Sequence, residues 1–169
     1  MYLVENLSQA ENIEINQPEN LCLVTQTTLS VSDTEEIVLK LKERFPLILE
    51  PKSEDICYAT QNRQDAVKQL ALEADLIIVV GSENSSNSNR LRELAENCGV
   101  ESFLIDDPKK ISSLNLDNVN VMGITAGASA PEELVQQMVQ KCNLLGYKVN
   151  EEISGLKEEV YFKLPAELR

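Results

Sequence analysis

Three short apolar runs, each joined to amphipathic segments, define the pattern of the chain beyond residue 57. Leu76–Val80 is an uninterrupted apolar run that Gly81 ends, which is typical of a strand buried on both faces of a parallel sheet. Residues 102–105 and 120–125 are predicted to form two further strands. Strands that alternate with helices predict an α/β fold with a parallel-sheet layer and right-handed crossovers.

Helices are predicted around these strands from apolar residues spaced three and four apart. Gly99 and Gly146 are the expected stops of two helices, and Pro131 suits a first helical turn. The loops after residues 80 and 125 are expected to open on the same edge of the sheet, where such folds bind ligands. The predicted apolar stripes are Ala66, Val67, Leu70, Ala71 and Ala74; Leu91, Leu94, Ala95 and Cys98; and Leu134, Val135, Met138, Val139 and Cys142.

The first 56 residues have the pattern of part of a similar unit. Residues 21–24 are predicted as a strand, and the polar loop 25–30 follows it. Ser32 and Glu35 have the spacing of a capping box at the start of the next helix. Before them, the pattern predicts only a brief strand at residues 2–4 and a short helix, which is too little to complete a sheet.

The chain is therefore predicted to divide into three parts. Residues 1–55 form part of an α/β domain, residues 56–146 form a complete α/β domain, and residues 147–169 form an extended tail that docks elsewhere. A length of 169 residues is compatible with this division.

Composition and charge narrow the class of protein. Apolar residues make up 43% and charged residues 25% of the chain, as in ordinary globular proteins. No apolar run approaches the roughly 18 residues that span a bilayer, and the N-terminus lacks the pattern of a signal peptide, so we expect no membrane partner and a cytoplasmic location. The net charge of −13 argues against nucleic-acid binding. It still permits a small anionic ligand, because backbone N–H groups hold phosphates without net positive charge.

Four cysteines and no histidine limit the available chemistry. No closely spaced ligand pair supports a zinc site, and a disulfide framework is not expected without export. Cys22, Cys98 and Cys142 lie in apolar patterns and are predicted to be core residues. Cys57 instead precedes a helix, whose N-terminus favours the thiolate that binds iron. From the residues alone, a structural role for Cys57 is the commoner alternative.

Three loops rich in hydroxyl and amide side chains follow predicted strands, at residues 25–30, 82–89 and 125–129. Such groups can hydrogen-bond a diphosphate without a metal. The alternative is that Ser and Asn simply favour turns and helix caps. No glycine-rich nucleotide motif is present.

Four segments resemble, in order, motifs of the 4-hydroxy-3-methylbut-2-enyl diphosphate reductase family. Residues 56–64 (ICYATQNRQ) resemble its third cluster-cysteine segment, and residues 81–91 (GSENSSNSNRL) resemble its substrate loop. Residues 125–131 (TAGASAP) and 25–30 (TQTTLS) are similar to two further active-site segments. The match covers nearly the whole chain and corresponds to the C-terminal portion of the family.

The resemblance implies a fold and a reaction. The family has three pseudo-symmetric α/β domains around a cavity, of which this chain would supply one complete domain and part of a second. One cysteine from each domain holds a [4Fe–4S] cluster that removes the allylic hydroxyl of a diphosphate, giving isopentenyl and dimethylallyl diphosphate. A ferredoxin or flavodoxin is the implied electron donor. The implied site residues are Cys57 for the cluster, Ser85, Ser86, Asn87 and Ser129 for the diphosphate, and Thr27 as a catalytic residue beside the substrate's hydroxyl end.

The chain departs from the family by absence. The segments that carry two cluster cysteines, the active-site histidines and the proton-donating glutamate have no counterpart here. We therefore expect this polypeptide to be inactive without the missing N-terminal portion as its partner. The competing hypotheses are a non-catalytic diphosphate-binding or interaction module, and a generic α/β domain whose polar loops are only turns.

Overall fold

A parallel sheet of three strands organises the described part of the chain, residues 1–50 and 56–149 of a computed structural model. The strands are β1 (Leu76–Val80), β2 (Glu101–Ile105) and β3 (Met122–Ala126). Their order is β2-β1-β3, so β1 lies between its two neighbours. Val80 pairs with the last residue of β2 and with the last residue of β3. All three strands therefore end together, at what we call the carboxyl edge of the sheet.

The central strand is buried on both faces, as its apolar run predicts. All five of its residues have no exposed surface. Leu76, Ile78 and Val80 pack on one side of the sheet in a cluster with Met138 and Cys142. The two residues between them point to the other side, because successive side chains of a strand alternate. The α/β fold class is thereby confirmed.

Helices cover both faces of this sheet. They are α3 (Tyr58–Leu70), α4 (Ser86–Asn97) and α5 (Glu132–Leu144), and a 3₁₀ helix at Pro108–Ser113 adds Ile111 to the core. The predicted stops at Gly99 and Gly146 are confirmed. Their φ angles are +85° and +101°, a region that favours glycine because it lacks a Cβ.

Two helix starts differ from the sequence prediction. α4 begins at Ser86, inside the predicted loop 82–89, because the Ser85 side chain caps the helix by accepting a hydrogen bond from Ser88 N. Pro131 directly precedes α5 rather than lying in its first turn. The first of these differences matters for function, since it converts a polar loop into the N-terminus of a helix.

The N-terminal part contains α1 (Leu7–Asn12), a 3₁₀ helix (Pro18–Asn20) and α2 (Val31–Arg44). The short helix before residue 21 is thereby confirmed, but the brief strand at residues 2–4 is wrong. The strand at 21–24 is also wrong. It is reduced to one parallel bridge between Cys22 and Leu49, because the described residues place no further strand beside it.

The start of α2 also differs from the prediction. The helix begins at Val31, and Thr34 N donates to Ser30 O at 3.1 Å. Ser32 therefore lies in the first turn and does not cap the helix, so the capping box with Glu35 is wrong. The pair has the right spacing, but it lies two residues too far along the chain.

The cysteines separate by their exposure. Cys142 is buried, as predicted, whereas Cys22 and Cys98 are exposed and are not core residues. Cys22 is exposed because its segment forms a single bridge, with no sheet to cover it. Cys98 follows the last residue of α4, at the turn that Gly99 makes before the chain re-enters the core at Val100.

The predicted tail begins at a residue that packs against the domain. Tyr147 donates its hydroxyl to Val119 O at 2.9 Å. The rest of the predicted tail, from residue 150 on, lies outside the described residues, and the division into domains stays a prediction. Within residues 1–50 and 56–149, no helix is long and apolar enough to cross a membrane.

Asp75 joins the start of β1 to the segment that enters β3, and this contact predicts a pH dependence. Its carboxylate accepts hydrogen bonds from Val121 N at 2.9 Å and Asn120 N at 2.8 Å. These two N–H groups, Val121 first, hold the pKa of Asp75 below its ordinary value. A carboxyl with a lowered folded-state pKa stabilises the fold above its unfolded-state pKa of about 4, and the contribution is lost as the pH falls through the folded-state value.

We therefore expect the free energy of unfolding of the wild-type chain to fall more steeply below about pH 4 than that of Asp75→Asn. Urea unfolding of both chains at neutral and acidic pH measures the difference. An identical pH dependence of the two chains would show that Asp75 contributes nothing through its charge.

Candidate functional site

The loops after β1 and β3 meet at the carboxyl edge of the sheet, as the alternation of strands and helices predicts. Gly127 N donates to Val80 O at 3.0 Å, and Gly81 N donates to Ile105 O at 3.0 Å. α4 begins at the same edge, because it follows β1 after a short turn. The predicted segments 82–89 and 125–129 are therefore brought together.

Two glycines enclose the side chain of Ser88 between these loops. Ser88 is completely buried. A Cβ on either Gly81 or Gly127 would overlap Ser88 Oγ. Both positions consequently need glycine for space rather than for backbone freedom, and Ser88 sets the separation of the two loops. The sequence analysis did not single out Ser88 as a functional residue.

Ser85 has a hydroxyl that is already used as an acceptor. Its Oγ accepts from Ser88 N at 3.3 Å and from Ser88 Oγ at 3.0 Å. A serine hydroxyl carries one proton and two lone pairs. Any further bond of Ser85 Oγ is therefore one that it donates, which suits an anionic ligand. Ser86, the next residue, is exposed at the first position of α4.

Asn87 is a buried residue with unused hydrogen-bonding groups. Its side chain lies in the first turn of α4 and the residue is 6% exposed. Neither amide atom, Nδ2 or Oδ1, has a hydrogen-bond partner within the described part of the chain. Leaving a buried polar group unpaired costs about 1–3 kcal/mol. An amide held in this state at a helix N-terminus, where N–H groups already attract anions, has the character of a ligand contact.

The other predicted diphosphate residue lies in the loop that follows β3. Ser129 is exposed, within a turn that Ala130 N closes by donating to Gly127 O at 2.9 Å. Because Gly127 packs against Ser88, this turn lies next to the start of α4. Ser85, Ser86, Asn87 and Ser129 thus belong to one edge of one sheet.

Cys57 precedes α3 as its N-cap, and α3 brings it toward the same edge. The C-terminal Leu70 of this helix lies near Gly123 at the start of β3, since a Cβ on Gly123 would be 3.4 Å from Leu70 Cδ2. The helix therefore runs antiparallel to the strands, and its first residues point to the carboxyl edge. Cys57 is partly exposed there.

A neighbouring hydroxyl prepares the Cys57 thiol to ionise. Cys57 Sγ lies 3.1 Å from Thr60 Oγ1, and Thr60 is 1% exposed. The Thr60 hydroxyl holds the pKa of the Cys57 thiol below its ordinary value against the effect of burial, and the N–H groups of Thr60 and Ala59 lower it further. The thiolate is the form that ligates metals. Thr60 was not predicted from the sequence, although its position three residues after Cys57, one helical turn away, was a usable signal.

Thr27 lies on the surface in a turn that Leu29 N closes by donating to Gln26 O at 3.5 Å. Gln64 of α3 is hydrogen-bonded to the same segment. Gln64 thus connects the Thr27 turn to the helix that begins after Cys57. The sequence did not single out Gln64.

Cys57 has no metal-ligand cluster around it in the described ranges. Among residues 1–50 and 56–149, no group of three or more His, Cys, Asp or Glu side chains is placed to hold a metal ion. The arrangement provides hydrogen-bond donors for an anion, and one thiol suited to be a single ligand of a larger metal centre.

The fold and this edge define an α/β protein with a candidate anion site and, toward the same edge, a partly exposed cysteine whose thiol pKa is lowered. The family described as LytB protein matches residues 1–143, so the chain belongs to that family. The resemblance seen in the sequence is thereby confirmed.

Two similar proteins have the same name. Proteins from Shewanella oneidensis and Saccharophagus degradans are 54% and 53% identical over 169 residues, and both are named 4-hydroxy-3-methylbut-2-enyl diphosphate reductase. The match covers 100% of this chain but 53% and 54% of these relatives. The chain therefore spans about half the length of the curated relatives it matches.

A solved structure agrees with the fold. The E-1-hydroxy-2-methyl-but-2-enyl-4-diphosphate reductase from Plasmodium falciparum superimposes with a TM-score of 0.74 at 39% sequence identity. The superposition covers 86% of this chain and 45% of that chain. The α/β layer described above is thus a piece of the architecture that this reductase family uses.

Proposed function

We propose that this chain is the diphosphate-binding part of a 4-hydroxy-3-methylbut-2-enyl diphosphate reductase. The observation that carries the proposal is the unpaired, buried amide of Asn87 at the N-terminus of α4, next to the donor hydroxyl of Ser85. The identity to relatives of that name supports the choice of substrate. The reaction takes up two electrons and two protons, breaks the allylic C–O bond and releases water.

The diphosphate would be held by hydrogen bonds rather than by net charge. The chain carries −13 overall, so an anionic substrate gains nothing from the long-range field of this polypeptide. The first N–H groups of a helix have no partner within the helix, and those of Ser86 and Asn87 at the start of α4 would donate to the ligand. Ser85, Ser86 and Asn87 add side-chain contacts, and Ser129 adds one from the opposite loop. Thr27 would hold the hydroxyl end of the substrate.

Cys57 would be one ligand of a [4Fe–4S] cluster. Its lowered thiol pKa and its N-cap position suit an iron-bound thiolate. When bound, such a cluster supplies the electrons and a Lewis-acidic iron for the substrate oxygen. These clusters take several cysteine ligands, and Cys57 is one. We infer that the remaining ligands come from a partner portion equivalent to the other half of the relatives.

Exposed apolar side chains in the N-terminal part support such a partner. Val24 is 74% exposed, Leu47 70% and Leu49 66%, all close to the single bridge at Cys22. Burying apolar surface of this kind stabilises an interface by about 25 cal/mol per Å². A ferredoxin or flavodoxin would deliver the electrons to the assembled protein, in the cytoplasm.

Anaerobic reconstitution tests this function. With iron and sulfide, we expect the chain alone to form no stable [4Fe–4S] cluster by visible absorption or electron paramagnetic resonance. Mixed with the remaining portion of a full-length relative, it is expected to form the cluster and to convert the substrate to isopentenyl and dimethylallyl diphosphate. Cys57→Ser should eliminate both signals. Cys98→Ser, at an exposed cysteine, is the matched control and should retain both.

Two results would contradict the proposal. A stable cluster on the chain alone would show that one cysteine suffices, and turnover by the Cys57→Ser assembly would remove Cys57 from the ligand set. The Asn87 amide and the Ser85 hydroxyl would serve a non-catalytic diphosphate-binding module equally well. Diphosphate binding without any cluster in the mixed sample would establish that second function instead.

A further inference from the structure

Gln64 is a buried glutamine that ties α3 to the loop before α2. The residue is 2% exposed. Its Nε2 donates to Leu29 O at 2.8 Å, and its Oε1 accepts from Val31 N at 3.0 Å. One side-chain amide thus satisfies two backbone groups that lie more than thirty residues away along the chain.

The backbone groups that Gln64 binds need an external partner. Val31 is the first residue of α2, and the first N–H groups of a helix have no partner within the helix. The Leu29 carbonyl lies at the end of the turn that contains Thr27. The side-chain amide of Gln or Asn carries an uncharged donor and an acceptor in one plane at any ordinary pH, and Gln has the longer reach. Glutamate or methionine would leave at least one of these bonds unmade.

The position of Gln64 on α3 relates the loop to Cys57. Cys57, Thr60 and Gln64 are spaced by three and four residues, so they share one face of the helix. Seven residues correspond to about 10 Å along a helix axis. The helix α3 therefore carries Cys57 at its start and, about 10 Å further along its axis, binds the loop that contains Thr27.

We propose that Gln64 is a positioning residue that fixes the Thr27 loop relative to Cys57. The inference rests on the proposed function, in which Thr27 contacts the substrate end that faces the cluster. Gln64 itself contacts neither reacting group. It acts through the backbone of residues 29–31. Without these two bonds, the loop that carries Thr27 is no longer held at a fixed position relative to Cys57.

Gln64→Met keeps the side-chain volume and removes both bonds, and Gln69→Met makes the same change at an exposed position of the same helix. Residue-resolved hydrogen exchange on the full chain is expected to show at least tenfold lower protection of Val31 N–H in Gln64→Met alone. The amides of β1 should keep their protection in both variants. In the assembled reductase, kcat of Gln64→Met should fall about 10- to 100-fold, since small misplacements of reacting groups have effects of this size. KM should change much less, because the diphosphate contacts lie on α4.

Gln64→Glu adds a pH-dependent test that separates hydrogen bonding by residue 64 from packing alone. At neutral pH the ionised carboxylate can still accept from Val31 N, but it cannot donate to Leu29 O and repels it, so the protection of Val31 should fall less than in Gln64→Met. As the pH falls, the protonated carboxyl can again donate to Leu29 O, and the remaining loss of protection relative to wild type should recover. Gln64→Met should show no such recovery.

Unchanged protection of Val31 in Gln64→Met, or a uniform loss of protection over the whole fold, would show that Gln64 does not fix the Thr27 loop. Lost protection with unchanged kcat would show a structural contact with no role in the reaction. If the wild-type assembly does not convert the substrate, the proposed function fails. The hydrogen-exchange data alone then decide whether Gln64 holds the Thr27 loop.

Discussion

Replacing Asn87 with leucine should stabilise the chain and remove its affinity for diphosphates. The Asn87 amide is buried and makes no hydrogen bond within the described part of the chain. Removing buried, unpaired polar groups recovers about 1–3 kcal/mol, and leucine has a similar shape. In the proposed function the same change takes away a ligand contact, so the affinity for isopentenyl diphosphate should fall more than tenfold, or by over about 1.4 kcal/mol.

Urea unfolding measures the first effect, and calorimetry with isopentenyl diphosphate measures the second. Asn89→Leu provides a matched contrast two residues along the same helix. Asn89 Nδ2 donates to Glu83 O at 2.7 Å and Ser85 O at 3.0 Å, so its replacement should destabilise the chain. If Asn87→Leu behaves like Asn89→Leu, or binds the diphosphate as wild type does, then the Asn87 amide is no ligand contact.

Replacing Gly127 with alanine should destabilise the fold and disrupt the site, because the new Cβ would overlap Ser88 Oγ. Overpacking of this kind costs about 1–3 kcal/mol. Ser88→Ala removes the overlapping oxygen, and the nearest side-chain atom is then Ser88 Cβ at 3.3 Å, which needs only a small adjustment. The double variant should therefore regain most of the stability that Gly127→Ala loses.

Gly81→Ala gives the opposite outcome and serves as the control. There the Ser88 Cβ itself would lie 2.9 Å from the added methyl, so removing the oxygen is not enough. A double-mutant cycle on unfolding free energies should show strong coupling between positions 88 and 127. Additive effects at 88 and 127, or equal rescue of both glycine variants, would mean that the loops move apart and do not enclose Ser88.

The sequence was most informative where one physical demand decides the local structure. The apolar run Leu76–Val80 is short, rich in β-branched residues and ended by Gly81, which together favour a strand buried on both faces, so its strand was predictable. Gly99 and Gly146 end helices because their positive φ angles favour glycine. These features depend on neighbours along the chain, which a sequence displays directly.

Predictions failed where a distant partner decides the outcome. The apolar pattern of residues 21–24 predicts a strand, but a strand needs neighbours, and here one bridge to Leu49 is formed. The exposure of Cys22 follows from the same lack of cover. The last four residues of the predicted loop 82–89 belong to α4, because the capping bond at Ser85 offsets the low helix propensity of Ser and Asn.

The candidate site divides in the same way. Cys57 and the residues of the diphosphate loops were identified from motifs that are contiguous in sequence. Gln64 was missed because it binds groups that only the fold brings near it, and Ser88 was missed because the two glycines that enclose it lie on separate loops. Their types are unremarkable in a helix, so no local signal sets Gln64 or Ser88 apart. Thr60 lies within one helical turn of Cys57, so its spacing was a usable signal.

The hydroxyl of Ser85 has a fixed polarity toward any group that approaches it. Both of its lone pairs are filled by Ser88, one from the backbone N–H and one from the hydroxyl. The one proton that remains makes Ser85 Oγ a hydrogen-bond donor only. At this position the protein therefore selects for an acceptor without using any charged side chain.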